Sequence, residues 1–242
     1  MLILGIDTTT KTASTAVVDF DNTNENANAK ILAEIQSCGK LSHSENLMPI
    51  VDYTLKSAGL TLDDIDLFAV AHGPGSFTGI RIAISTVKGL AFGSEINNCA
   101  GISSLCSLAY NFHGTFDDTL IFPVIDARRK QVYNAVFDNT DGLKYIKTDR
   151  IITVSELEEE LNREFSGRKI IFTGDGAEMC FNEIKFDGEI INLPEILKKP
   201  SAASVCKAAY YEKYKKNETI HPKILVPVYL IKTQAEREYS NK

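Results

Sequence analysis

LILGIDTTTKTASTAVVD at residues 2–19 is answered by IFPVIDARRKQVYNAVFD at residues 121–138. A shift of 119 residues lays one on the other without a gap. It pairs Ile6 with Ile125, Asp7 with Asp126, Lys11 with Lys130, Ala16 with Ala135, Val17 with Val136 and Asp19 with Asp138, six identities in eighteen positions. Each copy is an aliphatic, β-branched run, then a polar turn, then a second such run, which is the pattern of a β-hairpin.

Working outward, a third strand is expected over residues 30–37, after an Asn-rich stretch at 21–28 that reads as a solvated loop. Leu47, Ile50, Val51, Thr54, Leu55 and Ala58 recur at helical spacing and predict an amphipathic helix over 42–58, closed by Gly59. Ser42 and Glu45 resemble a capping box, while Pro49 implies either a kink or a later start. A strand over 67–71 and helices over 78–92 and 103–111 follow. The second copy is followed by a strand near 150–154, a helix over 155–164, a strand over 169–172 and a helix over 201–214. The recurrence predicts an α/β chain of two similar βββαβα halves, residues 1–112 and 113–242, with the last helix free to return to the first half. Actin-like ATPases and sugar kinases have this architecture, and there the turn between the first two strands of each half holds phosphate.

The composition is that of a folded protein: 242 residues, 44% hydrophobic and 24% charged. A net charge of −6 gives no positive field for phosphates, so tight binding of free nucleic acid by this chain alone is not expected. Any role in RNA chemistry would be shared with a partner. The first six residues are too short and too uncharged for a secretory signal, and no apolar span of membrane length follows, so a cytoplasmic protein without membrane contact is expected. Cys38, Cys99, Cys106, Cys180 and Cys206 are odd in number and lack a C-x-x-C pair, which suits reduced core residues.

Four segments, GIDTTTKTASTAVVD (5–19), HSENLMPIVDYTL (43–55), AHGPGSFTGIRIAISTVKGLA (71–91) and IDARRKQVY (125–133), resemble the TsaB or YeaZ-like family, as does the tail PVYLIKTQAERE (227–238). Ile231 departs from that pattern, where Arg is usual. The resemblance implies an actin-like fold of the ASKHA, ribonuclease H-like class. It also implies a non-catalytic subunit that dimerises with the paralogous transferase TsaD. That pair would support N6-threonylcarbamoylation of adenosine 37 in tRNAs reading codons that begin with A. A TsaE-like ATPase joining the pair, a homodimer when the chain is alone, tRNA reached only through the complex, and no cofactor complete the expectation. The alternative is a small-molecule kinase or ATPase of the same fold.

The residues can be weighed against that picture. Asp7 with Thr8 and Thr9 resembles the first phosphate turn, and equally suits hydroxyls and a carboxylate satisfying strand-end amides. The facing turn is filled by Ala127, Arg128, Arg129 and Lys130, where a phosphate cradle needs glycine. Gly174, Asp175 and Gly176 resemble an adenosine-binding turn and are also what a tight turn after a strand requires. These six residues outside the Arg-filled turn are the candidates for a vestigial nucleotide site. The run from Gly73 to Gly79 is not a P-loop, and Ser76 or Thr78 is expected to cap the next helix. His43, His72, His113 and His221 form no H-x-x-x-H pair, and where the resemblance to TsaD-like catalytic relatives implies such a pair Ser104 and Leu108 stand instead, so no metal site is expected. The helix over 78–92 carries Gly79, Ile82, Ser85, Thr86 and Gly89 beside its core positions, and the helix over 42–58 has a wide apolar arc. With His43, Leu47, Met48 and Ile50, these residues are the candidate partner interface.

Overall fold

The computed structural model describes residues 1–21, 29–39, 42–94 and 96–230. The Asn-rich loop, Ile231 and most of the family-like tail lie outside them. β1 (Leu2–Asp7) and β2 (Ala13–Phe20) pair antiparallel from Leu2 opposite Asp19 to Asp7 opposite Ser14. β3 (Ala29–Ser37) adds to β2, while β4 (Leu67–Gly73) and β5 (Cys99–Ser103) extend the sheet in parallel on the other side of β1. The second half repeats this with β6 (Thr119–Arg128), β7 (Gln131–Asp138), β8 (Lys144–Thr153), β9 (Lys169–Thr173) and β10 (Glu189–Ile190). The strand orders are β3-β2-β1-β4-β5 and β8-β7-β6-β9-β10, the same path twice.

Two features correct the expected order. Each half has a fifth strand that periodicity did not mark, because CAGIS is short and holds a glycine and β10 has two residues. The repeat is also not in strict register: Ile121 pairs with Phe137, not with Asp138 as Leu2 pairs with Asp19, and an irregularity between Asp126 and Arg128 absorbs the offset.

Helices fill the spaces as amphipathicity demands. α1 (His43–Ala58) begins at its capping box, so Pro49 lies inside the helix, and the chain turns off at the left-handed Gly59. α2 (Phe77–Gly93) starts from Ser76, whose side chain accepts from the Gly79 N–H. Both cover one face of the first sheet, where Leu47, Ile50, Val51, Ile80, Ala83 and Val87 meet Leu4, Ile6, Phe68 and Val70. α4 (Val154–Glu164) and α5 (Ala177–Glu183) cover the outer face of the second sheet. The middle layer is crossed. α3 (Ser104–Tyr110), from the first half, packs on β6 and β7, and α6 (Ala202–Ala209), from the second, packs on β1 and β2. Their shared core draws on both sheets, with Ile3, Val18, Leu105, Leu108, Ile125, Phe137 and Val205 in one cluster. The helix expected over 201–214 changes form at Tyr210, where the Lys215 N–H bonds to the Tyr210 carbonyl five residues back, a π-type widening.

Candidate functional site

The two hairpin turns differ in exposure: the first is buried, whereas Asp126, Arg128, Arg129 and Lys130 of the second are exposed. Asp7, Thr8, Thr9 and Thr10 are all buried. Asp7 Oδ1 accepts from the Thr9 N–H at 2.8 Å and from the Thr9 hydroxyl at 2.7 Å, while Oδ2 is buried without a hydrogen-bond partner. Burial pushes the Asp7 carboxyl above its ordinary range, against the pull of the Thr9 bonds and of nearby His43. The Thr8 hydroxyl donates to the Gly79 carbonyl at 2.7 Å, and the Ser76 N–H donates to the Thr9 carbonyl at 2.7 Å. His43 Nε2 lies 2.8 Å from the Thr10 carbonyl; a carbonyl only accepts, so that nitrogen carries the proton. A Cβ on Gly79 would stand 1.9 Å from the Thr8 carbonyl oxygen, and one on Gly75 would stand 2.5 Å from that of Thr9. The glycine-rich run is therefore bare so that the first turn can sit on it.

The second turn is built in the left-handed region, with Arg128, Arg129 and Lys130 at φ 68°, 53° and 59°. Its amides turn inward: the Asp126 N–H donates to Asp175 Oδ1 at 3.0 Å and the Arg128 N–H to Asp126 Oδ1 at 2.7 Å. Desolvation raises the Asp175 carboxyl against the bond from the Asp126 N–H, which lowers it; the Asp126 charge adds to the rise and the Lys11 charge opposes it. Gly174 and Gly176 lie against β6. The Gly176 N–H bonds to the Val124 carbonyl, and a Cβ on Gly174 would stand 2.3 Å from that same oxygen. All six residues of the expected nucleotide site are thus engaged in bonds or close contacts of the chain itself, Asp7, Thr8 and Thr9 with the start of α2 or with one another and Gly174, Asp175 and Gly176 with β6.

On the far side of the first sheet the picture is open. Of the nine residues expected at an interface, Leu47, Ile50 and Gly79 belong to the interior of this chain, which corrects their assignment. His43 is half-buried with Nε2 on Thr10, and Ile82 and Thr86 are half-buried on α2. Met48, Ser85 and Gly89 are exposed. Ile82, Ser85 and Gly89 continue at helical spacing into Phe92, which is 94% exposed, and α1 alongside exposes Tyr53 at 62%. Among the described residues a Cβ on Gly89 would meet nothing within 4 Å, in contrast to Gly79 on the same helix. Phe92 and Tyr53 were not picked from the sequence, although the i, i+3, i+7 rule from Ile82 leads through Gly89 to Phe92.

A family model described as "TsaD: tRNA N6-adenosine threonylcarbamoyltransferase" matches residues 31–239. The tRNA threonylcarbamoyladenosine biosynthesis protein TsaB of Bacillus subtilis (strain 168) is 31% identical, over 99% of this chain and 98% of its own. The chain belongs to the TsaB family. The TsaB of Escherichia coli (strain K12) is 28% identical over the full length of both. YeaZ from Pseudomonas aeruginosa superposes with a TM-score of 0.73 at 22% identity, over 95% of this chain and 99% of that one, and so shares its fold. The α/β, actin-like architecture is therefore that of the TsaB family.

Other polar groups in this TsaB-family chain pair with one another, although Asp149 Oδ1 is buried without a hydrogen-bond partner. A cavity of about 250 Å³ is lined by His72, Ser103, Cys106, Tyr145, Glu212 and Lys216 among others. The Ser103 hydroxyl donates to Asp149 at 2.5 Å, and Glu212 takes Tyr110 at 2.7 Å and Lys216 at 2.6 Å. Burial lowers His72 to about 4, so its ring is neutral near pH 7. Among the described residues no three His, Cys, Asp or Glu side chains are placed to share a metal ion, and no helix is long and apolar enough to cross a membrane. Four cysteines are buried as expected, but Cys38 is exposed at the end of β3, which corrects that reading. Sequence reasoning also passed over Tyr229, whose ring stacks on Phe77 at 4.9 Å and whose hydroxyl accepts from Arg81 Nε at 3.0 Å.

Proposed function

We propose that this chain is a non-catalytic scaffold subunit of the system that makes threonylcarbamoyladenosine in tRNA. It pairs through the outer faces of α1 and α2 with a TsaD-like paralogue. In that pair the paralogue carries the transfer to N6 of adenosine 37 in tRNAs reading codons that begin with A. A TsaE-like ATPase joins the pair, and tRNA is reached only through the complex. The names of the full-length relatives support the pathway.

The observation that carries the docking role is Gly89. Glycine in the middle of a helix costs about 0.5–1 kcal/mol relative to alanine, and nothing within 4 Å among the described residues calls for it. A partner helix brought close over this spot, with Ile82 and Phe92 covered beside it, supplies the reason. The closed first turn supports the non-catalytic part, because no amide or hydroxyl of residues 7–10 is presented at an open surface where a phosphate could sit.

The test is co-elution with the paralogue. Gly89→Leu and Ile82→Glu are expected to abolish it with melting temperatures close to the parent, while Glu159→Leu on the exposed side of α4 leaves it intact. Co-elution of both α2 variants at parental yield would remove this face from the account. Loss of the folded state in both would return the two positions to the core.

A further inference from the structure

The turn after β1 touches the first residues of both helices whose outer faces make the proposed docking surface. We propose that residues 7–10 are a positioning element for partner binding, holding the starts of α1 and α2 in one relative placement before the partner arrives. This rests on the docking reading above. Three successive residues serve three points. Thr8 donates to the Gly79 carbonyl in the first turn of α2, Thr9 accepts from Ser76 at its N-cap, and Thr10 accepts from His43, the first residue of α1. Asp7 shapes the turn through its two bonds from Thr9. The missing side chains at Gly75 and Gly79 bring the turn into backbone contact with α2, so the helix start cannot slide without breaking these bonds.

A face made from two helices is complementary to a partner at one placement of those helices only. If their starts splay, binding must restore the placement, and the ordering is subtracted from the affinity. Thr8 and Thr9 are fully buried, so neither can touch a partner, and any effect of Thr8 on affinity has to pass through α2. The same turn that holds phosphate in actin-like enzymes then does mechanical work here, with its hydrogen-bonding groups directed to helix starts.

The experiment titrates the TsaD-like paralogue into the parent chain, Thr8→Val, His43→Ala, His43→Gln and Gly89→Leu by calorimetry, with amide hydrogen exchange of each free variant. Thr8→Val keeps the shape and removes the donor; His43→Gln keeps a donor for the Thr10 carbonyl. Thr8→Val and His43→Ala are expected to weaken binding about three- to tenfold, within the range set by losing one hydrogen bond. They should also speed exchange in the first turns of α1 and α2, while His43→Gln stays within twofold of the parent. Parental affinity in Thr8→Val and His43→Ala, with Gly89→Leu still unable to bind, overturns the positioning role and leaves the docking face standing. Parental affinity in Gly89→Leu as well overturns both. Should Thr8→Val fail to fold, the half-buried His43 pair decides alone, and equal affinities for His43→Ala and His43→Gln overturn the proposal.

Discussion

Asp7 holds two bonds on one carboxylate oxygen and none on the other, in a site from which water is excluded. Such a group resists ionisation, and the folded chain keeps its proton to higher pH than the unfolded chain does. The sign follows: folding binds a proton in the window that opens at the ordinary value of 3.8, so this group's contribution to stability falls as pH rises through the raised value and then levels off. Asp7→Asn keeps an oxygen for Thr9 and has no charge to bury. Melting scans from pH 4 to 8 are expected to show the variant gaining on the parent as pH rises, and a constant difference across that range would refute the assignment. The identity of this residue was legible from its repeat with Asp126. Its isolation was not, because the turn it shapes is held by contacts from distant positions, Thr8 donating to the Gly79 carbonyl some seventy positions along the chain.

Gly79 and Gly89 sit on the same helix and carry opposite meanings, and the sequence alone does not separate them. Both fell on the small-residue side of α2. The first is bare because the Thr8 carbonyl fills the space above it, and the second is bare with open space around it. Gly79→Ala is therefore expected to lower stability by about 1–3 kcal/mol through overpacking against backbone. Gly89→Ala is expected to raise it by about 0.5–1 kcal/mol through helix propensity. Thermal or urea unfolding of the two variants checks the pair, and equal signs would contradict it. The same limit explains Leu47 and Ile50. Helical spacing identified α1 and its wide apolar arc, but which part of that arc met the sheet depended on β2 and β3 packing beneath it. Met48 and Tyr53 are the large apolar side chains of α1 left exposed.

For the whole molecule, the repeat of residues 2–19 in 121–138 led to two like sheets, and the strand orders agree with it. What periodicity could not supply was the crossing of α3 and α6, because each packs on the other half's sheet and no local pattern records that exchange. The crossing makes one central core from both halves, and the first hairpin turn is buried while the second stays exposed. The central claim is that this molecule contributes a docking face and no chemistry. Its most direct test is tRNA threonylcarbamoylation by the TsaD-like paralogue and TsaE-like ATPase, reconstituted with saturating parent chain, Asp7→Asn or Gly89→Leu. The account predicts parental modification with Asp7→Asn and none with Gly89→Leu. Loss of modification with a folded, paralogue-bound Asp7→Asn chain, or full modification with Gly89→Leu, would contradict it.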